Sequence, residues 1–217
     1  MYLVKTPQFI QNLFPNFTWR IPTKEKVLYL TFDDGPIPEV TTWVLEQLEA
    51  FQAKATFFCV GDNIRKYPDI FKKLADKGHA VGNHTFSHLN GWASDNVPYY
   101  HNVRHCANLV KTELFRPPYG RLKPVQAQFL QRHYRVVMWD VLSGDFDANL
   151  TPDQCLQNVT GNASPGSIIV FHDSLKAQER LSYVLPRALE HFSNLGFRFE
   201  SLNEQKLHQR EDIKNIA

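Results

Sequence analysis

Apolar residues in this chain come in short dense runs, and between them lie longer stretches with helical spacing. The dense runs are VLYLTF (27–32), ATFFCV (55–60), HAVGN (79–83), LFR (114–116), YRVVMWDV (134–141), SIIVFH (167–172) and FRFESL (197–202). Their β-branched and aromatic content predicts strands. Several are apolar throughout rather than alternating, as in parallel strands covered on both faces. Between them, Val40, Val44, Leu48 and Phe51 recur at helical intervals behind Pro38, and Leu181, Val184, Leu185 and Leu189 do the same. The stretch DNIRKYPDIFKKLADKG (62–78) closes on a glycine suited to a helix end. The alternation predicts an α/β chain of about seven βα units, either a barrel or an open doubly wound sheet.

The repeating units occupy residues 27–202 as one domain. Residues 1–26 precede them as an extension, with a short helix over 7–14 and a strand through Phe17, Trp19 and Ile21. Residues 203–217 are a polar tail, either a loose helix or disordered.

Composition narrows the class. A chain of 217 residues that is 43% hydrophobic can bury one substantial core. Lys and Arg number 24 against 22 Asp and Glu, a net charge of +2 with no basic stripe, which argues against a nucleic-acid partner. Cys59, Cys106 and Cys155 are odd in number and far apart, so they read as free thiols in small apolar positions. The start, MYLVKTPQFIQNLF, lacks a basic lead, a sustained apolar run and a small-residue cleavage site. No window approaches the roughly 18 apolar residues of a membrane span. Together these favour a cytoplasmic setting, unless an exported precursor has lost its leader.

The candidate chemistry lies just past the strands. Asp33 and Asp34 follow the first run, His84 and His88 the third, Arg116 and Tyr119 the fourth, Asp145 the fifth, and His172 and Asp173 the sixth. Active sites of α/β barrels and open parallel sheets are built at the carboxyl ends of their strands. DDGP alone is an ordinary turn sequence, but five strand ends carrying ionisable groups to one rim need a common reason. In HTFSH, His84 and His88 have the i, i+4 spacing that brings two imidazoles together on a helical turn and suits zinc. HNVRH gives His101 and His105 the same spacing in a polar helical stretch, where a solvated face is expected. A catalytic zinc commonly takes three protein ligands and lowers the pKa of its water to about 7. One Asp of the DD pair would complete the ligands, and the other would take a proton.

TFDDG (31–35), HTFSH (84–88), RPPYG (116–120), SGDF (143–146) and VFH (170–172), in this order, resemble the polysaccharide deacetylase family, the NodB-homology domain of carbohydrate esterase family four. The resemblance spans roughly residues 27–202. It implies a distorted (β/α) barrel and a metal-dependent hydrolase removing acetyl groups from N-acetylated or O-acetylated carbohydrate. It implies Asp34, His84 and His88 as metal ligands, with Zn²⁺ expected and Co²⁺ or Ni²⁺ accepted by the same N/O donors. It implies Asp33 as general base and Arg116 as the residue that orients it and holds it ionised. Tyr119 would lend a backbone N–H to the oxyanion, and His172 would be the catalytic acid with Asp145 as its partner. Tyr119, Phe146 and Val170 would line the substrate. Three departures bear on substrate preference: Phe146 stands where the family often has Trp, Leu142 replaces an earlier Asp, and Val170 replaces a Leu. A related amidase for a small non-sugar amide, and a non-catalytic metal-containing glycan-binding protein, are the alternative readings. Trp92 has the geometry of either a sugar platform or a core residue, and Trp19 and Trp139 are expected in the core.

Overall fold

The computed structural model describes residues 2–202; the polar tail at 203–217 lies outside the described residues. Eight strands form one sheet: β1 (Val27–Asp33), β2 (Ala55–Cys59), β3 (Ala80–Asn83), β4 (Leu114–Phe115), β5 (Arg135–Val136), β6 (Val141–Leu142), β7 (Ile168–His172) and β8 (Arg198–Phe199). Their order is β5-β4-β3-β2-β1-β7-β6, with β8 paired to β1, and every pairing is parallel. The chain is a distorted (β/α) barrel.

The run YRVVMWDV, expected as one strand, serves as two. β5 and β6 sit at opposite ends of the sheet order, six strand spacings or about 29 Å apart if the sheet were flat. The short link between Val136 and Val141 spans at most about 18 Å when extended. The sheet must therefore curl until its edges nearly meet.

The N-terminal extension fills the remaining seam. Thr18 N–H donates to the Val136 carbonyl, Met138 N–H to that of Thr18, Thr6 N–H to that of Asp140, and Leu142 N–H to that of Val4. The strand expected through Phe17, Trp19 and Ile21 is reduced to single bridges at Thr18 and Arg20, because successive residues pair with different strands. The helix expected over 7–14 is α1 (Gln8–Leu13).

Alternation on β1 assigns the two faces. Leu28, Leu30 and Phe32 join the core beneath α2 (Pro38–Ala50) and the long helix Gln178–Asn194, together with Val40, Val44, Leu48, Leu181, Val184, Leu185 and Leu189. Phe32 stacks between Phe57 and Phe171 at centroid distances of 5.0 and 5.7 Å. Val27 and Tyr29 face the opposite way, into a second cluster with Phe58, Val137 and Ile168. Period 2 then sends Thr31 and Asp33 to that inner side. The helical stretch over 62–78 is broken into α3 (Gly61–Lys66) and α4 (Pro68–Asp76), since Pro68 has no N–H and disfavours helix at the residue before it. Among the described residues, no helix is long and apolar enough to cross a membrane.

Candidate active site

Because all strands run parallel, their carboxyl ends share one rim. Asp33 ends β1 and is paired in register with His172, which ends β7. Asn83 ends β3, Arg116 follows β4, and Asp145 follows β6. The loops leaving these ends are strained. Of the five non-glycine residues with positive φ among those described, Asp34 (85°), Thr85 (63°), His88 (55°) and Tyr119 (61°) all lie at this rim. Such conformations cost of order 1–3 kcal/mol each and persist only where neighbours enforce them.

Asp34, His84 and His88 converge, with one ligand atom from each within 4.8 Å of the others. The histidines do not sit on a helical turn, as their spacing suggested, but on an irregular loop. The reason is that its N–H groups are taken from outside a helix. Asn83 Oδ1 accepts from Thr85 N–H, Asn102 Oδ1 accepts from both Phe86 and Ser87 N–H, and the Cys59 carbonyl accepts from His84 N–H. His84 Nδ1 lies 2.7 Å from the Arg116 carbonyl. A carbonyl only accepts, so Nδ1 carries the proton and Nε2 presents a lone pair. Burial pushes the His84 pKa down to about 4, against the pull of Asp33, so the ring is neutral near pH 7.

That Nε2 points at Asp34 Oδ1 from 3.8 Å, and His88 Nε2 lies 3.1 Å from the same oxygen. Asp34 Oδ1 is buried without a well-formed hydrogen bond. Burial alone would raise the Asp34 pKa, but His88, His172 and His84 hold it well below the usual carboxylate range. The His84 Nε2 lone pair and the nearby His88 Nε2, both beside a buried carboxylate oxygen, form a donor set that fits a divalent cation.

Two carboxylates with dedicated partners flank this cluster. Asp33 Oδ1 accepts from Arg116 Nη1 at 2.7 Å. Arg116 is fully buried and also donates to Thr31 Oγ1 (2.7 Å), Val137 O (3.1 Å) and Met138 O (2.9 Å), with Cζ 4.1 Å from the Phe58 ring centre. Burial lowers its pKa while Asp33 opposes the shift; a guanidinium this well bonded remains a cation. Asp145 holds His172 twice, through the backbone N–H to Oδ2 and through Nδ1 to Oδ1, both at 2.8 Å. Burial would lower the His172 pKa, but the Asp145 charge and hydrogen bond outweigh it and raise it to about 9, with Asp34 and Asp33 adding to the pull.

The remaining predicted residues are placed as follows. Tyr119 lies in a 3₁₀ turn, Pro118–Gly120, with its Oη 3.1 Å from His88 Nδ1. The Phe146 ring meets the His172 ring edge-on at 5.0 Å. Val170 is buried beneath this level, in register between Thr31 and Leu142. His101 and His105 are exposed on α5 (Asn96–Ala107). Trp19 is buried and Trp139 half-buried, whereas Trp92 is exposed. The core alternative for Trp92 is therefore set aside. The three cysteines are free and buried.

Further residues support the site; the sequence places Asp173 past the sixth run without giving it a role. Asp173 is fully buried, and its carboxylate accepts from Gly35 N–H (3.0 Å) and Thr41 Oγ1 (2.6 Å), holding the turn after Asp34. Burial pushes its pKa up to about 8. A Cβ at Gly35 would lie 1.9 Å from its Oδ2, so the turn admits only glycine there. Asn63 donates to the Asp34 carbonyl (2.7 Å), and Arg180 Nε to that of Asp145 (2.7 Å). Thr31 carried a usable signal, a polar residue two before Asp33 on an apolar strand and hence on its face. Asn63 and Arg180 lie on helices remote in sequence and carried none.

Comparison with known proteins identifies the family and the fold. The family profile described as polysaccharide deacetylase matches residues 20–135. A peptidoglycan-N-acetylglucosamine deacetylase of Bacillus cereus is 33% identical over 206 residues, covering 85% of this chain and 72% of the relative. A chitooligosaccharide deacetylase of Azorhizobium caulinodans is 35% identical over 168 residues, covering 74% and 80%. Among solved structures, a peptidoglycan N-acetylglucosamine deacetylase bound to a naphthalenyl N-oxidanyl-benzamide superposes with a TM-score of 0.82 at 30% identity, covering 91% of this chain and 95% of the other.

Proposed function

The chain belongs to the polysaccharide deacetylase family, and we propose that it hydrolyses the acetamide of N-acetylglucosamine units in a glycan, releasing acetate and a free amine. The observation that carries this reading is the pairing of Asp33 with Arg116 and of Asp145 with His172 around one cluster of Asp34, His84 and His88.

Asp34, His84 Nε2 and His88 Nε2 would hold a divalent cation, Zn²⁺ by preference and Co²⁺ or Ni²⁺ as alternatives. When bound, such a cation supplies Lewis acidity, polarising the acetyl carbonyl and lowering the pKa of water. Asp33 takes the proton from the attacking water, its orientation fixed by Arg116. The Tyr119 backbone N–H serves as a donor to the developing oxyanion. An amine leaves poorly unless protonated, and His172 gives its Nε2 proton to the departing nitrogen while Asp145 keeps Nδ1 engaged. The Phe146 ring lines the space beside His172, and buried Val170 packs beneath it. A purely binding protein has no use for both a paired base and a paired acid, which disfavours the non-catalytic reading.

Acetate release is the test, run over N-acetylglucosamine oligomers, peptidoglycan, acetylxylan and small amides, with chelation and metal add-back. Acetate should come from the N-acetylated glycans, stop on chelation and return with metal. Release from acetylxylan or small amides alone would overturn the substrate assignment, and metal-independent release would overturn the role of the cluster.

A further inference from the structure

A row of exposed side chains leads away from the cluster. The Tyr119 ring meets the His88 ring edge-on at 4.6 Å. Arg121 Cζ lies 6.0 Å from the centre of the Tyr119 ring and 5.3 Å from that of Trp92. Tyr119 is 61% exposed and Trp92 59%, so two large aromatic rings and the guanidinium between them stand in water at the edge of the site. Resting on the deacetylase reading above, we propose that Arg121 receives a carboxylate on the sugar beside the acetylated one, so that the preferred glycan is acidic rather than neutral.

The row is built rigidly. Trp92 Nε1 donates to the Leu122 carbonyl (3.3 Å), which leaves the indole face for contact. The loop carrying Trp92 and the loop carrying Arg121 touch backbone to backbone: a Cβ at Gly91 would lie 2.5 Å from the Arg121 carbonyl oxygen and 2.7 Å from Gln126 Oε1. Gln126 is fully buried and stitches the two loops, donating to the Gly91 carbonyl (3.0 Å) and accepting from Lys123 N–H (3.0 Å). A buried amide spent on joining two surface loops fixes the geometry of what they present.

Charge and position together point to the ligand. Exposed Arg65 pairs with Asp62, and Arg198 with Glu25 and Glu200, whereas Arg132 and Arg187 lie over Phe129 and Tyr183; what sets Arg121 apart from these is its place between two exposed rings at the edge of the site. Among the described residues, no carboxylate pairs with Arg121. A guanidinium stacked on aromatic rings keeps its planar fork of donors, which matches a carboxylate in two parallel hydrogen bonds. The flanking aromatic faces suit the apolar face of a sugar ring. Tyr119 separates Arg121 from His88 by about one ring, so the anion belongs on the neighbouring sugar and not on the reacting one.

The experiment compares an oligomer alternating N-acetylglucosamine and N-acetylmuramic acid with the same oligomer after its lactyl carboxylates are converted to amides. The acidic form should be deacetylated with the higher kcat/KM. In Arg121→Gln the acidic-to-amidated ratio should fall about tenfold, toward one, and Arg121→Lys should restore part of it. General damage to the site would lower both rates and leave the ratio unchanged, which would overturn the proposal. Calorimetric binding of the same two oligomers to metal-free protein gives an independent reading. Charge-dependent binding lost in Arg121→Gln supports the receptor even if no acetate is released, an outcome that would sink the deacetylase reading instead. Equal binding of both forms would overturn the receptor while leaving deacetylation intact.

Discussion

Two histidine pairs share the same spacing and differ in everything that follows from it. His101 and His105 lie on a regular helix, exposed, and His105 spends its ring face on Phe86 at a centroid distance of 3.7 Å. His84 and His88 lie on a loop with two positive-φ residues, opposite a buried carboxylate oxygen. Spacing brings two imidazoles near each other in both cases. What separates them is a third group, Asp34, delivered by a different strand, and a backbone carbonyl at Arg116 that fixes the His84 tautomer. The second pair has a packing role: His105 stacks on Phe86, outside the ligand cluster.

The largest effect should come from removing a member of the first pair. His84→Ala should abolish stoichiometric metal binding and with it acetate release. A His101→Ala/His105→Ala double variant should bind metal as before and lose no more than about 1 kcal/mol of stability through the lost stacking contact. Metal analysis after dialysis, with thermal unfolding alongside, distinguishes the two; metal lost from the double variant would mean that the pairs have been assigned the wrong way round.

A smaller effect should divide the two adjacent aspartates. Asp33→Asn should keep the metal and lose roughly 10²–10⁴ in kcat, the range for loss of a general base. Asp34→Asn should weaken metal occupancy itself. Identical metal loss in both would erase the division of labour.

The smallest is a displacement along the pH axis. With the pKa of His172 raised to about 9 by Asp145, its imidazolium persists through neutral pH and is lost as pH rises through that value. In Asp145→Asn the lowering effect of burial is opposed only by the smaller pull of Asp34 and Asp33. The alkaline limb of kcat/KM should therefore move to lower pH with metal retained. A limb that stays in place would assign it to another group.

Much of this site was legible because it lies at strand ends, and strand ends are where the apolar runs stop. VLYLTF and SIIVFH announce β1 and β7 by composition, so Asp33 and His172 fall at strand ends on the sequence pattern alone. The spacing at 84–88 suggests a helical turn where the chain forms a loop, because spacing is blind to where N–H groups find acceptors; Asn83 and Asn102, far apart in sequence, supply them. The YRVVMWDV run reads as one strand for a related reason. Its residues have β preference throughout, but which edge each pairs with depends on the curl of the whole sheet.

Sequence by itself determined the alternation of strands and helices and the residue types at the rim, because these follow from local periodicity and side-chain chemistry. Tertiary structure decided that Asp34, His84 and His88 meet, that Asp173 holds the DDGP turn, that the N-terminal segment closes the seam, and that Trp92 and Arg121 face water together. Each of these joins residues from separate βα units, and no local preference records a contact whose partners are brought together only when the sheet closes.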